Sequence, residues 1–348
     1  MGSSGVDVGS SVSEALQRYA TSVMPILERA IPREDPDSYL YDLVRDYPRR
    51  GGKALRSSLC LAATGALGGH PIDALNTAAS LELLHNAFLI HDDIEDESDS
   101  RRGSPTLHLD HGVPLAINAG DAAAMLAFRP LIDNQTVLGP ELSAEILSEF
   151  EHMTRRTIEG QALELGWRRD NVVDLEPTDY LRMVGGKTCW YTAIYPLRIG
   201  ALIAGRGAID PARFDHFGLC LGAVFQIGDD LQNLEPSDQD YGKELLGDIF
   251  EGKRTLPLIH LLHHADRSSR DDIVDFLARP RDDRSFADAE AIHHRMVDAG
   301  SLEWTRAYAI GLAEEARDEF GNVFADGPAN EHRRFLAELL VFLVDRLY

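Results

Sequence analysis

The stretch LELLHNAFLIHDDIED, residues 81–96, is an apolar run that ends in a knot of carboxylates. It continues a segment, residues 78–90, that is rich in Ala and Leu nearly all round. A helix without a polar face belongs at the centre of a multi-layer bundle. In helical conformation Asp92 and Asp96 stack one turn apart, their Cβ atoms about 5–6 Å from each other, with Asp93 beside them. Three carboxylates so close at the end of a buried helix repel one another, and a hard divalent cation relieves that repulsion. Mg²⁺ suits the place, because it binds few carboxylates, keeps water and shares its coordination with substrate phosphates.

A second stretch repeats the pattern. FQIGDDLQNL, residues 225–234, ends another apolar helix, with Asp229 and Asp230 adjacent and Asn233 four residues after the first. Asn233 can reach a metal or a metal-bound water through its carbonyl but brings no charge. One such cluster alone is more often a solvated helix end than a metal site. Two of them, each terminating an apolar helix, make coincidence unattractive.

Outward from these clusters, helical periodicity dominates the chain. Residues 54–66, 72–95, 116–130, 140–165, 178–206, 211–234, 255–265, 285–298, 303–324 and 335–347 carry apolar residues at three- and four-residue spacing. No alternating run bounded by hairpin turns interrupts them. Breaks fall at residues 68–71, 102–105, 138–140, 235–237 and 278–280, none of them a long linker. The pattern predicts an all-α fold with one large helical domain over residues 13–348, after a disordered Gly/Ser-rich terminus at 1–12.

Lys and Arg number 34 against 57 for Asp and Glu, a formal charge of −23, and no strong basic patch is visible. Such a surface repels nucleic acid, so a DNA or RNA partner is not expected. Cys60, Cys189 and Cys220 are far apart without CxxC spacing, which points to buried free thiols in a reducing cytoplasm. The N-terminus lacks the features of a signal peptide, and no run reaches the ~18 uninterrupted apolar residues of a membrane span.

Basic residues flank the acidic clusters: Lys53 and Arg56, Arg101 and Arg102, Lys187 beside Thr188, Lys243, and Lys253. Several follow glycine, which lets backbone and ammonium approach a phosphate together. Arg adds a planar fork that matches phosphate oxygens. Each small motif is weak alone.

Taken in order, GGKALR, LHNAFLIHDDIEDESDSRRGSPTLH, GVPLAINAGD, GQALEL, GGKTCWYT, FQIGDDLQNL and GKELLGDIFEGKRT resemble the trans-isoprenyl diphosphate synthase (polyprenyl synthetase) family, closest in motif to geranylgeranyl diphosphate synthases. They run from Gly51 to Thr255. The resemblance implies a single helical bundle around a deep central cavity, assembled as a homodimer. It implies an enzyme that joins isopentenyl diphosphate to dimethylallyl, geranyl or farnesyl diphosphate. It also implies roles for residues. Asp92, Asp93 and Asp96 would hold Mg²⁺ against the allylic diphosphate, and Asp229 and Asp230 a further ion, three in all. Lys53, Arg56, His85 and Arg102 would form the isopentenyl diphosphate site. Arg101, Lys187, Lys243 and Lys253 would grip the allylic diphosphate, while Thr188 and Gln226 aim oxygen dipoles at the developing carbocation. Departures are Asn233 for the last Asp of the commonest second motif, Ala54 for a frequent Arg, Ser57 for Pro and Glu164 for Asp.

Product length follows from a helical ruler. One turn rises about 5.4 Å, close to one C5 unit, so Phe88, Ala87 and Leu84, upstream of Asp92, gauge the growing tail. Small Ala87 argues against stopping at C15 and bulky Phe88 against very long chains. The expectation is C20, with C15 or C25 as alternatives.

Two other readings compete. A terpene cyclase on the same fold would keep Asp92 and Asp96 but dispense with Lys53, Arg56, His85 and Arg102. A non-catalytic partner subunit would be expected to lose metal-site carboxylates. The spacings Glu149-x-x-His152 and Glu290-x-x-His293 match half of a di-iron motif but lack the further Glu pair such a site requires. Trp190 and Tyr191 suit either the cavity wall or the core.

Overall fold

The computed structural model describes residues 8–235 and 245–347. Helices carry almost all the regular structure. The first half of the chain contributes α1 (Val8–Ala30), α2 (Tyr41–Arg49), α3 (Leu55–Ala66) and α4 (Leu75–Glu95). Then come α5 (Leu107–His111), α6 (Val113–Leu126), α7 (Phe128–Leu138) and α8 (Pro140–Arg169). After α9 (Pro177–Val184) the chain runs through a π-helical segment, Gly185–Ile194, into α10 (Tyr195–Gly205) and α11 (Asp215–Leu234). The rest is α12 (Gly247–Glu251), α13 (Leu256–His264), α14 (Arg267–Ala278), α15 (Phe286–Asp298), α16 (Ser301–Val323) and α17 (Glu331–Asp345).

Helix α4, expected at the centre of the bundle, buries Ala78, Ala79, Leu81, Leu83, Leu84, Ala87 and Ile90. Every residue of α3 is buried, and its small side chains let α10 come very close: a Cβ on Gly200 would lie 2.4 Å from the Ala63 methyl. Two apolar clusters meet along α11. Phe217, Leu221 and Val224 join the one built on α1, α3, α4 and α10, while Ile227, Leu231 and Leu234 join the one built on α9 and α13–α16. The ends of α4 and α11 thereby face a common space.

Three departures from the sequence reading have plain causes. The first helix begins at Val8, inside the stretch expected to be disordered, because Val12, Ala15, Leu16, Tyr19, Val23 and Leu27 form a buried stripe. Residues 1–7 lie outside the described residues. Helix α14, which lies outside the segments read as helical, forms because Ile273, Phe276 and Leu277 anchor one face of an otherwise charged segment. The break at 102–105 is a two-residue hairpin, Ser100–Arg101 (β1) against Ser104–Pro105 (β2), turned by Arg102 and Gly103 with φ of +54° and +74°. A positive φ at both turn residues matches the twist of the strands.

Among the described residues one stretch, Val113–Leu138, is long and apolar enough by length and composition to cross a membrane. Asn118, Asp121 and Arg129 interrupt it, and Ala116, Ala119 and Ala123 are buried where α6 packs against α4.

Candidate active site

Asp92 lies in the last turn of α4, and Asp229 and Asp230 lie near the end of α11. The carbonyl end of a helix already carries partial negative charge, so carboxylates there are unfavourable without a cation. Both ends open into one cavity of about 1910 Å³. Asp92, Asp229 and Asp230 line it, as do Lys53, Arg56, His85, Arg101, Arg102, Lys187, Thr188, Gln226 and Lys253. Lys243 lies outside the described residues.

The carboxylates of the first cluster have separate fates. Asp92 reaches the cavity, with Lys187 Nζ and Gln161 Nε2 each 3.3 Å from its Oδ1. Asp93 does not. Its buried carboxylate accepts from Tyr47 Oη at 2.5 Å and from Arg101 Nε at 2.9 Å. One oxygen of Asp93 thus fixes Arg101 and the other holds Tyr47, so the carboxylate expected to face a metal is engaged away from the cavity. Asp96 is also turned from the cavity, toward Lys253 Nζ at 2.8 Å and the Arg168 guanidinium. The hairpin turn holds Arg102 over the backbone of α2, where its Nη1 donates to the Tyr47 carbonyl at 2.7 Å.

In the second cluster Asp229 faces Arg346 at 2.9 Å. Asp230 accepts from Tyr180 Oη at 2.7 Å and from Gln226 Nε2 at 2.8 Å. Burial, then the nearby charge of Asp248, pushes the Asp230 carboxyl up to about 7. A group of acids this crowded fits a cation of high charge. Asn233 corrects an expectation: its side-chain oxygen accepts the Asp248 N–H at 2.9 Å, so it seats α12 and orients Asp248 toward the cavity instead of facing a metal itself.

Lys187 and Thr188 sit in the π-helical segment, whose wider turn re-aims side chains. It is seated by a glycine pair. A Cβ on Gly160 of α8 would fall 2.0 Å from the Lys187 nitrogen, and one on Gly186 would fall 3.0 Å from the Arg156 carbonyl. Lys187 is tied to Glu164 as well as to Asp92, and these carboxylates hold its ammonium above the usual lysine range despite burial. Thr188 Oγ1 donates to Gln226 Oε1 at 2.9 Å, and Gln226 in turn donates to Asp230. The threonine proton is thus committed, which leaves its lone pairs to face the cavity.

A separate basic corner lies beside α3 and α4. Arg56 Nη2 donates to Tyr191 Oη at 2.7 Å, and its guanidinium lies 4.2 Å from the centre of that ring. Arg56 Nη1 is 3.3 Å from His85 Nε2. Burial, followed by the charges of Arg56, Arg102 and Arg101, drives the His85 pKa well below its ordinary value, so the ring is neutral. Arg56 Nε and His85 Nδ1 are buried without a hydrogen-bond partner. Unpaired buried polar groups beside an open cavity are costly unless a ligand satisfies them. Ser57, fully buried, donates to Glu82 at 2.7 Å and stiffens the start of α3.

Leu84, Ala87 and Phe88 line the same cavity farther along α4. Phe88 meets Tyr191 edge to face at 5.6 Å between ring centres. Tyr191 is thereby a wall residue, whereas Trp190 is packed against the core. Glu149 is bonded to Arg198 at 2.6 Å and the His152 ring packs on Trp190, so the first half-motif for iron is otherwise engaged. Sequence reasoning gave no individual role to Tyr47, Gln161, Arg168, Asp248, Arg254 and Arg346, all of which touch or line the site.

The Polyprenyl synthetase family matches residues 37–294. A geranylgeranyl diphosphate synthase of Sulfolobus acidocaldarius is 36% identical, over 84% of this chain and 86% of its own length. A geranylfarnesyl diphosphate synthase of Natronomonas pharaonis is 31% identical over 97% of this chain and 98% of its own. The crystal structure of geranylgeranyl pyrophosphate synthase from Corynebacterium glutamicum, complexed with isoprenyl diphosphate and magnesium, superposes with a TM-score of 0.83 at 27% identity, covering 96% of this chain and 99% of that one. The chain belongs to the polyprenyl synthetase family of trans-isoprenyl diphosphate synthases. It is a prenyl-transferring enzyme.

Proposed function

We propose that the chain joins isopentenyl diphosphate head-to-tail to an allylic diphosphate, and that its main product is the C20 geranylgeranyl diphosphate. One observation carries this reading. A single cavity presents two facing acidic clusters, a basic corner with unsatisfied buried donors at Arg56 and His85, and an apolar wall. Two diphosphates and one growing tail need those three surfaces.

Arg101, Lys187 and Lys253 hold the allylic diphosphate, and Asp93 keeps Arg101 aimed at it. Mg²⁺ held by Asp92, Asp96, Asp229 and Asp230, in three ions by family resemblance, would neutralise the departing diphosphate. Asp96 becomes available as Lys253 turns from it to the substrate. As the C1–O bond breaks, the lone pairs of Thr188 and the Gln226 carbonyl stabilise the allylic cation. Lys53, Arg56, neutral His85 and Arg102 fix isopentenyl diphosphate so that its double bond attacks C1. The released diphosphate accepts the proton that leaves. Tyr191, Phe88 and Leu84 exclude water that would quench the cation.

The protomer's outer face supports a homodimer. Ile117, Met125, Phe128 and Ile132 of α6 and α7 are exposed together, and a second copy would cover them. The three buried free cysteines are consistent with a reducing compartment such as the cytoplasm.

The deciding assay gives the purified protein labelled isopentenyl diphosphate, Mg²⁺ and separate C5, C10 and C15 primers. A linear C20 diphosphate that disappears in Asp92→Ala supports the proposal. Diphosphate release from an allylic substrate alone, with no isopentenyl incorporation, would mean a cyclase. Activity only with a second, different chain would mean a partner subunit.

A further inference from the structure

On the face of the bundle where α11 packs against α16, His216, Cys220 and Glu315 bring one imidazole, one thiol and one carboxylate within 4.8 Å of one another. The His216 Nε2 to Glu315 distance is 3.4 Å, Cys220 Sγ to Glu315 Oε2 is 3.8 Å, and Cys220 Sγ to His216 Nε2 is 4.0 Å. A tetrahedral zinc with its usual bond lengths separates such ligand atoms by about 3.3–3.6 Å, so small side-chain movements complete the shell. His216 and Cys220 are one turn apart on α11, and Glu315 and Glu319 are one turn apart on α16. This is the spacing by which two facing helices present ligands to one ion.

We propose that His216, Cys220 and Glu315, with Glu319 or a water as fourth ligand, bind Zn²⁺ and staple α11 to α16. Nothing in the prenyl transfer uses these residues, which lie toward the opposite end of α11 from Asp229 and Asp230. Imidazole, thiolate and carboxylate together suit zinc better than Mg²⁺, which favours oxygen ligands. A thiol ligates zinc as its thiolate, so binding releases the Cys220 proton to solvent. The staple would hold straight the helix whose far end carries the second acidic cluster.

The test uses the full chain, stripped with chelator, returned to excess Mg²⁺ and titrated with Co²⁺ as a visible stand-in for zinc. One equivalent should produce a thiolate-to-cobalt charge-transfer band together with the strong visible bands of a four-coordinate ion. The band should vanish in Cys220→Ser, need more than about tenfold more Co²⁺ in His216→Asn, and persist in Asp92→Asn. His216 is exposed, so His216→Asn keeps the fold while removing a ligand. Zn²⁺ should also raise the thermal midpoint of the wild type and not that of His216→Asn. No charge-transfer band, or one that survives both substitutions, would overturn the proposal, and an equal midpoint shift in both proteins would overturn the staple.

Discussion

Asp92 and Asp93 are neighbours in the chain but face different partners. Asp92→Asn should lower kcat/KM by at least about 10²-fold and raise the Mg²⁺ concentration needed for half-activity. Asp93→Asn should instead free Arg101, raising KM for the allylic diphosphate with little change in the Mg²⁺ requirement. Steady-state kinetics with Mg²⁺ and primer varied separately distinguishes the two. His85 makes a pH prediction with a definite sign. Its folded pKa lies well below 6.5, the ordinary value. Below that ordinary value the unfolded chain takes up a proton that the folded one refuses, so unfolding is favoured as pH falls. The stabilising difference is present above pH 6.5 and lost on acidification. Urea midpoints measured from pH 7.5 down to 5 should fall more steeply for the wild type than for His85→Gln. At this scale the charged motifs were legible because they cluster in sequence. Tyr47 and Arg346 were not, since each is an ordinary residue brought in from a distant part of the chain.

The π-helical segment makes Gly160 and Gly186 indispensable in a way that composition hides. Gly160→Ala would drive a methyl into the backbone at Lys187 with nothing flexible to yield. It should cost about 1–3 kcal/mol of stability and displace Lys187 and Thr188, so that thermal midpoint and kcat fall together. Long helices such as α4 and α11 were readable as unbroken apolar runs, because their neighbours cover them on all sides. Helix α1 carries its own spaced stripe, but a polar, Ser-rich beginning masked it. In α14 only Ile273, Phe276 and Leu277 mark the buried face, too few to stand out from the charges around them. The widening at Gly185–Ile194 has no mark in a helical pattern, because it depends on the close approach of α8. The ruler on α4 gives a further test. Phe88→Ala should lengthen the product by at least one C5 unit and Ala87→Phe should shorten it, read by chromatography of the dephosphorylated alcohols.

At the scale of the molecule, the exposed face of α6 and α7 predicts that Ile132→Glu shifts the protein toward single-chain mass in sedimentation. The cavity has another consequence, which concerns how the enzyme lets go. Each methylene moved from water into that apolar space is held by about 0.8 kcal/mol, so a C20 tail gains on the order of 10 kcal/mol from burial. Chemistry that lengthens the tail also tightens its grip, and the last step becomes escape of a detergent-like molecule into water that does not dissolve it. Stopped-time assays should then show a rapid first turnover followed by a slower steady rate. Phospholipid vesicles or mild detergent, acting as an oily sink, should speed the second phase while leaving the first untouched.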